Sequence, residues 1–346
     1  MKPIFYSRSV EARTHFVRTH ATQYSKIVYL VPKKFLADAQ QRIASAATLL
    51  AYEDLTKSNA IFNLADEQTL LVFDRPSRYK NITTDTWVRL SRASERYQYK
   101  ILVDIVPFTS EVQYLYCPLA LVSRSILGYQ HWYSFRENNS EQLIDGSVVQ
   151  AHDYACLAHK LAPYGTIDYT DFLSNPIDVV NCPLAAQEKS DYQELRNRLF
   201  AEARQAEKKS ASPIITQLAD WTNIRQSRYT QLRDVLLQTN GRTVIYTNLS
   251  VHNRRIKKLF PSSEVKSFYD ANGSEDQYDT VILFELPITK SFLFLDVIAN
   301  VRPDCRILFF KSDTTVDTLL YSHMTTEYQS INEFAQQLFS FQEVRV

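Results

Sequence analysis

The residues with chemical potential fall into short stretches. TLLVFDRPSRYKN (Thr69–Asn81) runs an apolar strand into an acid, Asp74, and then a polar turn. Ligands of open α/β sheets bind at the carboxyl ends of strands, and an acid there can hold Mg²⁺ on a nucleotide. Taken alone, the favoured reading is a surface aspartate capping the turn, aided by Pro76. KILVDIVPFTSEVQYLYCPLALVSRSILG (Lys100–Gly128) repeats the pattern, and Thr109, Ser110 and Glu111 read as a helix start with a hydroxyl cap and an acid in the first turn. HDYACLAH puts His152, Cys156 and His159 on one helical face. Zinc accepts these ligand types but needs a fourth ligand or a water; no second cluster supplies one, so no metal is expected. The basic run HNRRIKK (His252–Lys258) either touches phosphates or solvates a helix face. Arg302 and Arg306 sit between a helix and a strand, facing a cleft or solvating a loop.

The elements that must position these residues are legible from pattern. Apolar runs bounded by polar residues include Pro3–Tyr6, Ile27–Val31, Thr69–Phe73, Lys100–Val103 and Ile177–Val180. Further runs are Thr243–Tyr246, Glu264–Phe268, Thr280–Phe284 and Arg306–Phe310. Their Val, Ile, Phe and Tyr content predicts buried strands. Helical periods lie between them, as in Phe35, Ala39 and Ile43, or Val88, Leu90 and Ala93. Alternating strands and helices predict an α/β fold with mostly parallel sheets covered on both faces. A helical stretch from Gln187 to Thr239 is interrupted by Pro213, and the domain junction is placed in Lys208–Pro213, giving domains 1–207 and 208–346.

Composition bounds the function. The chain has 346 residues but only 5 glycines (Gly128, Gly146, Gly165, Gly241, Gly273), where average usage of ~7% implies about two dozen. No spacing among them fits G-x-G-x-x-G or G-x-x-x-x-G-K-[ST], so both phosphate-cradling loops are excluded, as is the G-x-S-x-G elbow. A net charge of +1 makes no global case for nucleic acid, though a local basic groove is compatible with it. No apolar run reaches the ~20 residues of a membrane span. The start of the sequence lacks the apolar core of a signal peptide. Cys117, Cys156, Cys182 and Cys305 are scattered without C-x-x-C, which points to a reducing, cytoplasmic setting.

In order, these segments resemble a superfamily-two helicase core of the Swi/Snf-like type, also seen in phage replication helicases. KIVYLVPKKFLADAQQRI is similar to the segment after the P-loop helix, and LLAYEDL to the stretch before the acidic motif. LVFDRPSRYKN is similar to the Asp-Glu-Ala-His box, ILVDIVPFTSEVQYLYCPLALV to the Thr-Gly-Thr-Pro motif and its helix, and VVNCPLAAQEKSDYQELRNRL to the close of the first domain. TVIYTNLSVHNRRIKKLF is similar to the opening of the second, and DTVILFELP with the arginines near Arg302 falls where the last motifs belong. The resemblance implies two tandem RecA-like domains. It also makes the departures informative. PIFYSRSVEAR stands where the P-loop belongs, with neither its glycines nor its lysine. Asp74 survives in the acidic box, but Arg75 replaces the adjacent acid and Ser77 the histidine. Asp104-Ile105-Val106-Pro107 replaces the small, hydroxyl-rich turn of the third motif, with Thr109 a degenerate position in it; of the last motif only part of the arginine pair is kept, Arg302, with Asn300 at the other position and Arg306 nearby.

Phosphoryl transfer depends on positioning and charge stabilisation, and those parts are missing. The expectation is an inactive, pseudo-helicase protein without cofactor, binding nucleic acid, DNA foremost, or a replication or recombination protein. Expected backbone contacts are Lys33, Lys34, Arg78 and Lys80 in the first domain and Arg254, Arg255, Lys257 and Lys258 in the second. The alternatives are a protein-interaction module or inhibitor that does not bind nucleic acid, and an ATPase subunit completed in trans. A methyltransferase is disfavoured by the shortage of glycine.

Overall fold

Parallel pairing organises both halves of the chain. The computed structural model describes residues 2–43, 47–79, 81–109, 112–139, 141–142, 148–149, 153–168, 175–205, 212–271, 275–288 and 291–343. It divides into two units, one of residues 1–172 with 327–346 and one of residues 173–326.

The first unit runs β1 (Ile4–Tyr6), α1 (Val10–Ala21), β2 (Lys26–Val31), α2 (Leu36–Ile43), β3 (Ala47–Ala51), α3 (Ala60–Asn63) and β4 (Thr69–Asp74). It continues with α4 (Asp85–Ser94), β5 (Tyr99–Asp104), α5 (Tyr116–Val122), α6 (Trp132–Asn139), the antiparallel pair β6 (Glu141–Gln142) and β7 (Val148–Val149), α7 (Tyr154–Leu161) and β8 (Gly165–Ile167). The main sheet has the order β3-β2-β4-β5-β1-β8, parallel throughout. β4 is buried along its whole length, as expected for an inner strand covered on both faces. Tyr29, Val31, Val72, Ile101 and Val103 of the sheet pack with Val17, Phe35 and Ala39 from the helices. Burying each such side chain contributes about 1.5–3 kcal/mol.

The second unit contains β9 (Ile177–Asn181), α8 (Ala186–Gln205), α9 (Ser212–Asn223), α10 (Gln226–Gln238), β10 (Thr243–Thr247), α11 (Ser250–Leu259), β11 (Glu264–Ser267), β12 (Thr280–Leu283), α12 (Ser291–Ile298) and β13 (Arg306–Lys311). Then α13 (Val316–Glu343) begins in this unit and continues into the first from Glu327. The sheet order is β11-β10-β12-β13-β9, again all parallel. Its core joins Tyr229 and Leu232 to Ile245, Ile282, Leu308 and Phe310.

The fold class is therefore α/β, two tandem units with parallel sheets. The division between them is not at 207/208. Ile177–Asn181, read from sequence as closing the first domain, pairs with β13 from Ile307 to Lys311, so its backbone hydrogen bonds belong to the second sheet. β3 and β8 are strands that the apolar-run pattern does not include. β3 is an edge strand, mostly only half-buried, and β8 is three residues long.

Candidate functional site at the strand ends of the first unit

The turn from β1 to α1 is where a phosphate loop would lie in a nucleotide-binding unit of this type. Ser7–Ser9 form it, and Ser9 caps α1 by accepting from the Ala12 amide at 3.1 Å. A phosphate cradle needs amide N–H groups aimed inward. Here the Ser7 amide donates to Asp104 O at 3.0 Å and the Ser9 amide to Ser7 Oγ at 3.0 Å. The turn's carbonyls are turned to a cation instead. Arg13, one turn into α1 and 3% exposed, donates through Nη1 to Ser7 O and, at 3.2 Å, to Arg8 O. A buried guanidinium is satisfied by the atoms that would have to be replaced by amides to hold a phosphate.

The ends of β4 and β5 carry two buried acids. Asp74 is 2% exposed, so the alternative of a surface capping residue does not hold. Its Oδ2 accepts from the Tyr29 hydroxyl at 2.6 Å, and its Oδ1 lies 3.9 Å from Arg75 Nε. Asp104 accepts the Ser77 amide at 2.9 Å and the Ile105 amide at 2.7 Å. Burial pushes its carboxyl up to about 6, the Asp74 charge adds to that, and the two amides oppose it. Arg75 adopts a left-handed backbone, φ 57 and ψ 47, before the 3₁₀ turn Pro76–Arg78. That conformation is uncommon for a residue with a Cβ. Ser77 is buried as well, and its carbonyl accepts from the Thr109 hydroxyl at 3.3 Å.

The other residues singled out in the first unit distribute around this edge. Lys33 is exposed and pairs with Asp54 at 3.2 Å. Lys34 and Arg78 lie against the Phe35 ring, as does Arg75. Lys80, Ser110, Glu111 and His152 are outside the described residues. Asp153 caps α7, accepting the Cys156 amide at 2.7 Å, while His159 packs edge-on against Phe341. Among the described residues no three His, Cys, Asp or Glu side chains gather as a metal site.

In the second unit the basic run is α11. His252 and Ile256 face the core, while Arg254, Lys257 and Lys258 are exposed and form no ion pair among the described residues. Arg255 differs from them: it lies over the Tyr229 ring at 4.4 Å and donates to Ile224 O at 3.3 Å. The turn from β10 to α11 is also internally filled. Glu285 Oε2 accepts the Asn248 and Leu249 amides, both at 3.1 Å. Its Oε1 contacts His252 Nδ1, and His252 Nε2 lies 3.0 Å from Asp220 Oδ1. Arg228, fully buried, joins Phe284 O just after β12, Phe310 O near the end of β13, and Asp317. Sequence reasoning did not reach Glu285, Arg228 or Tyr29, whose partners lie far along the chain, nor Arg13, whose partners are the carbonyls of its own turn.

Arg302 and Arg306 occupy the opposite end of the sheet. Arg302 pairs with Asp279, just before β12, at 2.6 Å and with Asp304 at 3.2 Å. Arg306, the first residue of β13, pairs with Asp178 at 3.2 Å. Both lie at strand amino ends, away from the carboxyl edge of their own sheet, and both are engaged in ion pairs with nearby aspartates.

No family model matches the chain, and no curated protein matches it. Among solved structures it is similar to the Sulfolobus solfataricus SWI2/SNF2 ATPase core in complex with dsDNA, at 12% identity over 98% of this chain and 90% of that one, TM-score 0.39. It is also similar to the Pyrococcus furiosus Hef helicase domain, at 10% identity over 93% and 94% of the two chains, TM-score 0.46. With TM-scores below 0.5, the fold assignment rests on the sheet topology itself.

Proposed function

We propose that the chain is a non-hydrolysing, helicase-like protein that binds nucleic acid, DNA foremost, through its backbone. The observation that carries the loss of hydrolysis is the Arg13 guanidinium held by the Ser7 and Arg8 carbonyls. A phosphate brought to that turn meets carbonyl oxygens and a capped serine rather than amides. Arg75 beside Asp74 removes the second acid that would orient a water. Binding is supported by α11, whose Arg254, Lys257 and Lys258 form a solvated positive face. Such a face neutralises phosphates independently of base sequence.

Two measurements test the reading. Purified protein is expected to show no ATP turnover with or without DNA; clear turnover lost in Asp74→Ala overturns it. In gel shifts, replacing Arg254, Lys257 and Lys258 together by glutamate is expected to weaken binding by at least about tenfold at low salt. The salt dependence should also become shallower, by up to about three in log–log slope. Absence of salt-dependent binding by the unaltered protein leaves an interaction module, docking on a replication or recombination protein, as the better reading.

A further inference from the structure

The corner between α9 and α10 carries two arginines whose planes are set by aromatic rings. Arg225, at the N-cap of α10, folds back over Trp221. Its guanidinium carbon is 3.6 Å from the ring centroid, and its Nε donates to Trp221 O at 2.9 Å. At that distance the carbon sits over the middle of the indole, in stacking contact. Tyr192 lies 5.5 Å from the same ring, which packs on the core that contains Leu199 and Leu218. Arg255 of α11 lies over the Tyr229 ring at 4.4 Å and donates to Ile224 O, one residue before Arg225, at 3.3 Å. Among the described residues neither arginine enters an ion pair. The acid nearest in sequence, Asp220, is placed 3.0 Å from His252 Nε2.

Two contacts, His252 with Asp220 and Arg255 with Ile224 O, hold α11 against this corner. Ile224 is 38% exposed, and Val251, one turn ahead of Arg255, is 49% exposed. The corner therefore adjoins the solvated cations Arg254, Lys257 and Lys258 of α11. A face that only neutralised phosphates would need no fixed planes, because charge alone tracks a backbone. A guanidinium already stacked on a ring is pre-ordered, so a second flat group that joins the stack costs less side-chain freedom. Nucleobases stack on guanidinium planes as they do on aromatic rings. In a duplex those base faces are covered by neighbouring pairs.

We propose that Arg225 and Arg255, with Ile224 and Val251 beside them, form a platform on which an unpaired base of a single-stranded nucleic acid stacks. The platform presupposes the reading of α11 as a phosphate-binding face and extends it: the helix takes the backbone and the corner takes the base. Stacking uses the π-face that every base carries, so sequence is not read.

The test is fluorescence anisotropy of labelled oligonucleotides with the full chain at fixed salt. Three ligands with equal numbers of phosphates are compared: oligo-dT, an abasic strand and a hairpin duplex. Charge alone favours the duplex, whose phosphates are denser. Oligo-dT is expected to bind about tenfold tighter than the abasic strand and at least as tightly as the duplex. Arg225→Lys keeps the charge and loses the plane; it should weaken oligo-dT about fivefold and leave the abasic strand, the duplex and the salt slope unchanged. Ile224→Ser, at an exposed position, should weaken oligo-dT selectively without touching the indole. Oligo-U in place of oligo-dT tells RNA from DNA, and tighter binding than the abasic strand by either one supports the platform. Equal affinities for oligo-dT, oligo-U and the abasic strand, or equal losses for all ligands in Arg225→Lys, overturn the platform and leave α11 as a backbone-binding face. Selective weakening by Arg225→Lys, with binding untouched by the triple glutamate replacement on α11, supports the platform and overturns the reading of α11 instead. Absence of salt-dependent binding by the unaltered protein overturns both.

Discussion

The effect of replacing Asp104 by asparagine on stability should depend on pH. The carboxyl is 3% exposed and its ionisation is displaced from 3.8 to about 6. The folded protein therefore holds a proton that the unfolded chain releases throughout the interval between those values. Stability falls as pH rises wherever the folded state binds more protons, by about 1.4 kcal/mol per pH unit. Across the interval this group removes about 3 kcal/mol, and its contribution is flat above about pH 7. Asparagine cannot ionise, so that loss disappears. It keeps only one acceptor oxygen for the Ser77 and Ile105 amides, and leaving one amide unpaired costs about 1–3 kcal/mol. At about pH 4 the variant should be less stable than the parent by that amount; at about pH 7 the two should be nearly equal, or the variant slightly better. For a unit of this size, 3 kcal/mol corresponds to a swing in relative melting temperature of about 6–12 °C. Calorimetry or urea unfolding across the range measures it. A variant-minus-parent difference that is constant from about pH 4 to about pH 7 would refute the argument that burial controls this carboxyl.

Two further substitutions probe the second unit. Asp317→Asn strands the fully buried Arg228 charge, whose remaining partners are carbonyls. A loss of about 3–5 kcal/mol in urea unfolding is expected. Gly241→Ala forces a Cβ into a position with φ +85 and 2.3 Å from Asp279 Oδ2, the acceptor of the Arg242 amide. A drop of about 1–3 kcal/mol is expected by the same assay, and no change would mean that Asp279 swings aside without cost.

What was readable in the sequence follows the range of the forces involved. Runs such as TLLVF and RILFF declare inner strands because burial on both faces demands apolar side chains at every position. ATLLA does not: an alanine-flanked, half-exposed edge strand needs neither β-branching nor continuous hydrophobicity. The unit boundary was displaced because the partner of Ile177–Asn181 lies more than a hundred residues on, while a charged stretch near Lys208 offers a local signal with no bearing on pairing. Asp74 was legible as an acid ending an apolar run. Its tie to Tyr29 was not, because a buried tyrosine in a strand has the same pattern as any apolar residue. Arg13 was hidden for the converse reason. An arginine in the first turns of a helix reads as solvated, and only the carbonyls of its own turn, folded back on it, make it a core residue.

The passage of α13 from one unit to the other sets an order of assembly. Phe334 and Leu338 are fully buried in the first unit, Phe334 meeting Phe108 at 5.6 Å and Tyr154 at 6.3 Å. On a ribosome, residues 1–172 emerge first yet must wait for residues 327–343 to complete their hydrophobic interior. The second unit, contiguous in the chain, is not subject to that delay. The half of the protein that is synthesised first is the half that finishes folding last, and its aromatic faces around Phe108 and Tyr154 stay uncovered for the whole of translation between.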